Sequence, residues 1–303
     1  MALARTLVRG ALSSPFKRPG RPGRPGPALP ERRATAGAVR VDAARLAAYA
    51  KLCGFPASPT GVLPLPYPHV LGLPLALRIL AARDFPLPLL GLVHTWIDVR
   101  ARRVLHRTDS PELTVYATAL TPHRRGTEVT VVTEARLDAA LAWVSRSRYL
   151  CRHRTAPERS GAPADHAVGA PDYLQERAEW QLPAGLGRRY GAVSGDRNPI
   201  HLHPLTARAF GFRTAIAHGM WSFARCLAEA VPDPYALTYA RAEFRAPVPL
   251  PGAVTYAAAP ADEHGTAFQL RRGARIHLVG AAEAGDGAGG AAAVSEGTSA
   301  PRP

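Results

Sequence analysis

The chain has 303 residues, 47% of them hydrophobic and 20% charged, with a net charge of +15 at pH 7. That is enough chain for two ordinary domains or one large one. No stretch reaches the ~18 uninterrupted apolar residues of a membrane span. Three widely spaced cysteines, Cys53, Cys151 and Cys226, exclude a disulfide framework and a cysteine-based zinc cluster. The expectation is a cytoplasmic protein in a reducing compartment. The positive charge is almost wholly arginine, since Lys17 and Lys51 are the only lysines.

In chain order, residues 1–39 come first, with Glu31 as their only acid. The repeat from Arg18 to Gly26, three Arg-Pro-Gly units, disfavours both helix and sheet, so this basic segment is expected to be disordered. No aromatic residue follows Phe16 within it, so it reads as a solvated tail and no nucleic-acid partner is expected. A first block spans 40–152, a Pro- and Gly-rich linker 153–171, a second block 172–280, and an Ala/Gly/Ser-rich tail 281–303. Block one predicts a helix over 70–82 and strands at 92–99, 113–120 and 127–134.

Block two predicts a helix over 217–231. Met220, Phe223, Ala224, Leu227 and Val231 fall on one face, Arg225 and Glu229 pair on the other, and Pro232 ends it. Strands follow at 237–244, 254–259, 268–271 and 274–279. One long helix beside several antiparallel strands, twice over, is an α+β arrangement. A faint direct repeat agrees: counting from Tyr49 and from Tyr190, Cys53 matches Ser194, Gly54 matches Gly195, Phe55 matches Asp196, and Thr60 falls opposite His201. Whatever polar chemistry block two performs at these positions, block one has apolar or small groups there.

The informative stretch runs from Tyr190 to Trp221. On a regular helix Asp196 and His201 would point about 140° apart. Pro199 disfavours helical geometry at Asn198, so 194–200 is expected to be a loop that turns both side chains toward one point. A carboxylate and a neutral imidazole facing one cavity can hold and activate a water molecule. Asn198 can orient either partner or cap the next helix. Further on, Ala217-His-Gly-Met220 opens the apolar helix, and Gly219 offers an amide at the positive end of the helix dipole, where a developing enolate charge would be stabilised. Taken alone, Ser-Gly-Asp-x-Asn-Pro also reads as a turn and helix cap, His201 as a packed or solvent-facing histidine, and His218 as structural. No G-x-G-x-x-G, P-loop, H-E-x-x-H or G-x-S-x-G motif occurs, and neither a cofactor nor a metal is expected.

The run SGDRNPIH, followed by GFRTAIAHGM, resembles the MaoC-like (R)-specific enoyl-thioester hydratases and dehydratases of the hydratase 2 type. Phe244-Arg-Ala-Pro-Val-Pro-Leu-Pro-Gly252 is similar to that family's strand and Pro-Gly turn after the central helix. The likeness is close over 183–258 and looser over YPHVLGLPLALRI in block one. It implies a double hot-dog fold, two antiparallel sheets each wrapped around a long helix. It further implies hydration of trans-2-enoyl thioesters to (3R)-3-hydroxyacyl thioesters, or the reverse dehydration. Carried over, Asp196 is the general base toward water, His201 its partner, Asn198 the loop support, and Gly219 N–H the thioester's oxyanion donor.

Block one then supplies an acyl tunnel, with Tyr67, Leu71, Leu75 and Phe85 as candidate lining. The partner is an acyl-CoA or acyl-carrier-protein thioester. Arg197, Arg208, Arg213, Arg241 and Arg245 are near the motif and suited to its phosphates. The chain is expected to be a monomeric pseudo-dimer or a homodimer. The competing readings are a non-catalytic acyl-binding partner subunit and a hot-dog thioesterase. The latter usually keeps its carboxylate on the central helix, which here carries only Glu229 near its far end.

Overall fold

A computed structural model describes residues 28–154, 174–261 and 265–285. The expectations for 1–27, for most of the linker and for the tail beyond 285 lie outside the described residues. The described residues hold ten strands and six helices. The first half holds β1 (Arg33–Ala36), α1 (Ala43–Cys53), α2 (Tyr67–Leu80), β2 (Val93–Ala101), β3 (Glu112–His123), β4 (Gly126–Leu137) and β5 (Ala140–Arg152). The second holds β6 (Gln175–Leu182), α3 (Leu186–Ser194), α4 (Pro199–Leu202), α5 (Pro204–Arg208), α6 (Gly219–Ala230), β7 (Leu237–Phe244), β8 (Gly252–Ala258), β9 (Thr266–Arg272) and β10 (Arg275–Ala284).

The strands form one sheet in the order β1-β3-β4-β5-β2-β7-β10-β9-β8-β6, every pairing antiparallel. Read inward from either edge, each half has the same internal order, so the faint repeat extends to the whole topology. Two separate sheets were expected. They are instead joined at the centre, where β2 pairs with β7 and Ile97 faces Ala242. This pairing removes the two edges that separate halves would expose.

The long helices lie where the hydrophobic pattern requires. α6 packs on β7, β9 and β10, and α2 on β1, β3 and β4. On α6 Phe223, Ala224 and Leu227 are fully buried, and Arg225 meets Glu229 at 2.7 Å. Two boundaries differ from expectation. Residues 33–36 form β1 inside the segment expected to be disordered, and β10 continues past 280 to Ala284. β5 and β6 were not anticipated. In β5 the apolar runs 140–144 and 149–151 are split by Ser145-Arg-Ser-Arg148, and β6 is an edge strand whose exposed residues are polar or charged, so neither shows a continuous period-2 pattern. No helix among the described residues is long and apolar enough to cross a membrane.

Candidate active site

The site begins where α3 ends. α1 and α3 both terminate on a glycine, Gly54 and Gly195, in the left-handed region at φ 82° and 86°. Glycine holds that conformation without a Cβ penalty. Phe55 follows the first and Asp196 the second. Tyr49 and Tyr190, which open the repeat, are buried with ring centroids 6.1 Å apart.

Past Gly195 the chain makes the tight turn that the sequence suggested, and that turn builds the site. The Asp196 N–H donates to Ser194 Oγ at 3.1 Å, and the Asn198 N–H donates to Asp196 Oδ1 at 3.0 Å. Asn198 caps α4, whose first residue is Pro199, so the non-helical stretch is shorter than the 194–200 expected. The Asp196 side chain stays 35% exposed, which leaves a carboxylate oxygen reachable from the cavity. From the first half, Arg45 donates through Nε to the Val193 carbonyl at 2.6 Å and through Nη2 to that of Ser194 at 2.7 Å. These are final carbonyls of α3, which have no partner within the helix.

The single turn of α4 presents His201. Its Nδ1 donates to the Ile216 carbonyl at 2.8 Å. A carbonyl only accepts, so this bond places the proton on Nδ1 and leaves Nε2 with a lone pair. Burial lowers the imidazole pKa, only partly opposed by the Asp196 charge and the Ile216 bond, so His201 is neutral near pH 7. A Cβ on Gly187 would run into the His201 carbonyl, so glycine lets α3 approach α4 this closely.

His218 belongs to the same group, although the sequence reading treated it as structural. Its Nε2 donates to the Asp196 backbone carbonyl at 3.0 Å and lies 3.8 Å from Oδ2. Its ring stacks on that of His201 with centroids 3.7 Å apart. Burial, reinforced by His201, brings its pKa down to about 3. The clue was its position beside Gly219 in the Ala-His-Gly-Met run.

The candidate ligand atoms of Asp196, His201 and His218 lie within 4.8 Å of one another, a spacing a metal could use. The hydrogen bonds argue for another use. His201 Nδ1 and His218 Nε2 are both committed to carbonyls. Imidazole lone pairs lie in the ring plane, so two stacked rings do not aim the remaining pairs at one ion.

Gly219 is the first residue of α6, where backbone N–H groups have no intrahelical acceptor, and the His218 side chain does not cap them. Asp196, Asn198, His201, His218 and Gly219 all line one cavity of about 680 Å³. Both halves wall it. From α2 the apolar lining is Val70, Leu73, Ala76, Leu77 and Leu80. Tyr67, Leu71, Leu75 and Phe85, the expected lining, are not part of it: Tyr67, Leu75 and Phe85 are buried in the core and Leu71 packs against it. α2 is apolar nearly all round, so periodicity could not tell the cavity-facing stripe from the core-facing one.

The first half also contributes polar groups, though not at the repeat positions. Phe55 is buried in the core and Thr60 is exposed. In their place His69, His94 and Tyr149 reach the cavity. His69 Nδ1 lies 3.1 Å from Ser145 Oγ, and His94 stacks on Tyr149 at 4.5 Å. Among the five arginines that the motif suggested, Arg245 alone lines the cavity.

Comparison with known proteins places the chain in a family. The MaoC-like domain family matches residues 177–273, which contain the whole constellation. A 3-hydroxyacyl-thioester dehydratase X of Mycobacterium tuberculosis is 35% identical over 224 residues, 74% of this chain and 78% of that protein. The chain belongs to the MaoC-like dehydratase family. It is therefore a hydro-lyase. The crystal structure of HtdX from M. tuberculosis resembles the dehydratase with a TM-score of 0.70 at 31% identity, covering 84% of this chain and all of that one. A MaoC-like dehydratase from Phytophthora capsici shares the fold at TM-score 0.69 and 18% identity, over 86% of this chain and 97% of its own. These likenesses identify the α+β architecture as the MaoC-like hot-dog fold.

Proposed function

We propose that the dehydratase interconverts trans-2-enoyl and (3R)-3-hydroxyacyl thioesters, using a water held between Asp196 and His201. One observation carries the reading: Asp196 and His201 line one cavity together with Gly219, and their candidate ligand atoms lie within 4.8 Å of each other. A water whose two protons are held by two acceptors presents its oxygen lone pair outward, toward C3 of the substrate.

In the hydration direction the water O–H bond breaks as its oxygen bonds to C3, and the proton passes to Asp196. The C2=C3 pair moves onto the thioester as an enolate, with its oxygen at the Gly219 N–H. Asp196 then returns its proton to C2, so one water supplies both the hydroxyl and the hydrogen. His201, kept neutral by burial, orients the water throughout. Asn198 N–H fixes the carboxylate. The (3R) configuration rests on the family likeness. The cytoplasm is the compartment favoured by three free, buried cysteines.

A thioesterase reading finds less support. Glu229 sits near the end of α6, paired with Arg225 at 2.7 Å, and does not line the cavity. The test is enoyl-CoA hydration across chain lengths with chiral analysis of the product. The expected outcome is (3R)-3-hydroxyacyl-CoA. Release of free coenzyme A without hydration, or a (3S) product, would overturn the proposal.

A further inference from the structure

The cavity wall contributed by the first half holds polar groups for which the proposed mechanism has no task. His69 stands in the first turn of α2, a helix otherwise apolar apart from Tyr67 and Arg78. Its Nδ1 is committed to Ser145 Oγ at 3.1 Å, which leaves Nε2 for a ligand. On β5, Ser145, Ser147 and Tyr149 alternate onto one face of the strand. The register sets Tyr149 opposite His94, whose ring stacks on it at 4.5 Å and lies nearly parallel to that of His69 at 6.2 Å. His94 also packs on Phe244 at 4.8 Å, and Phe244 lies against Gly219, where a Cβ would meet its ring at 3.1 Å. A row of rings therefore leads from Gly219 to the first turn of α2, and His69, His94 and Tyr149 all line the cavity.

These groups are uncharged and lie near the reacting end. Burial lowers the His69 pKa to about 4, against the opposing charge of Asp196. Burial raises that of Tyr149, against a smaller effect of Ser147 and with a contribution from Asp196. Near pH 7 the wall thus presents a phenol O–H and a neutral imidazole, both close enough to sense the Asp196 charge. Beyond His69 the wall is hydrocarbon: Val70, Leu73, Leu77 and Leu80 follow it along α2 over about 16 Å. The polar pair sits where an acyl chain enters that stripe. An all-carbon chain lying there would leave the phenol and the imidazole unpaired, and unpaired buried polar groups discriminate strongly against the ligand that fails to meet them.

We propose that Tyr149 and His69 form a subsite for a hydroxyl group carried by the acyl chain a few carbons beyond C3. The proposal rests on the proposed function for the thioester end. The oxygen that adds to C3 is held by the second half, so the pair on the first half serves a second oxygen. A hydroxyl both donates and accepts, so it matches the phenol, and it matches His69 whichever ring nitrogen carries the proton. A carboxylate in its place would be repelled by Asp196. The substrate class is therefore a hydroxylated 2-enoyl thioester, and the half that lacks Asp196 and His201 selects it.

The test compares trans-2-hexenoyl-CoA with its 4-, 5- and 6-hydroxy derivatives on the wild type and on the double variant Tyr149→Phe/His69→Leu. The wild type should prefer at least one hydroxylated substrate in kcat/KM, and its ratio to the parent should fall about tenfold in the variant, seen in KM. A ratio that the variant leaves unchanged would overturn the proposal. So would a wild type that prefers none of the three. Tyr149→Phe alone, which removes a single oxygen and should lower the ratio in the same direction, gives the same reading should the double variant be unstable. Calorimetry with saturated thioesters separates this from the proposed function. The wild type should bind at least one of the 4-, 5- and 6-hydroxyhexanoyl-CoA thioesters more tightly than hexanoyl-CoA, and Tyr149→Phe should erase most of that difference, even if no thioester is hydrated. Equal binding of all four by the wild type would refute the subsite.

Discussion

The imidazoles of His201 and His218 stack with centroids 3.7 Å apart, and each gives one N–H to a backbone carbonyl, Ile216 and Asp196 respectively. His218 thus holds the backbone of the residue whose carboxylate faces the cavity, while supporting the ring that shares its proposed water. His218→Phe keeps an aromatic plate against His201 and deletes the bond to Asp196. A bond of this kind is worth about 1 kcal/mol net, more when its loss leaves a buried carbonyl unpaired. Steady-state kinetics should give a kcat about tenfold lower with KM little changed. A variant with unaltered kcat would show that the bond does not position Asp196.

Acid should destabilise the protein in a definite window. Burial lowers the pKa of His69 to about 4 and that of His218 to about 3, and it also depresses His94 and His201. The folded state therefore binds fewer protons than the unfolded one below the ordinary histidine pKa of about 6.5. Stability is fully present above that value and declines as pH falls toward the folded-state values. Each such histidine adds up to about 1.4 kcal/mol per pH unit. Thermal unfolding should show Tm dropping between pH 7 and 5, with a shallower drop in His69→Gln. A flat Tm across that range would contradict neutral burial.

Arg45 reaches from the first half to the end of α3 and holds the carbonyls of Val193 and Ser194. Arg45→Met leaves both to water and loosens the turn that aims Asp196. Loss of charge-assisted bonds should cost about 1.5–3 kcal/mol of stability. It should also lower kcat more than it raises KM, with Arg45→Lys restoring part of both. Chemical denaturation and kinetics on the same variants separate the two effects. A stability loss with no change in kcat would make Arg45 purely structural.

Chain-length selection should follow the cavity-facing stripe of α2. Leu73→Trp is expected to lower kcat/KM for long-chain enoyl thioesters by about tenfold or more while crotonyl thioesters are nearly unaffected, because even one methylene in such a pocket is worth about 1–3 kcal/mol. Leu75→Ala and Phe55→Ala, both in the core, should cost about 2–5 kcal/mol of stability without shifting that preference. A shift produced by Leu75→Ala would place the tunnel on the other face of the helix.

Much of this was legible in the sequence because local chemistry decided it. The i, i+3, i+4 stripe and Pro232 marked α6 to within two residues, and the strand expected over 237–244 is β7 as observed. Asp196, Asn198 and Pro199 encode the turn itself, so its place was readable locally, while the contacts from Arg45 and His218 that hold it were not. What was missed depends on contacts far apart in the chain. The β2–β7 pairing that unites the sheet, the choice of the 70-73-77-80 face of α2, and the arrival of His69 and Tyr149 at the cavity are set by how the halves pack. Composition hid β6, whose charges suit an edge.

The most direct measurement is enoyl-CoA hydration by Asp196→Asn, which keeps the shape and the backbone turn but removes the base. If the carboxylate takes the proton from the bound water, kcat should fall by about 10²–10⁴-fold with the circular dichroism spectrum and Tm close to wild type. A folded Asp196→Asn enzyme that hydrates at the wild-type rate would place the proton transfer on another group.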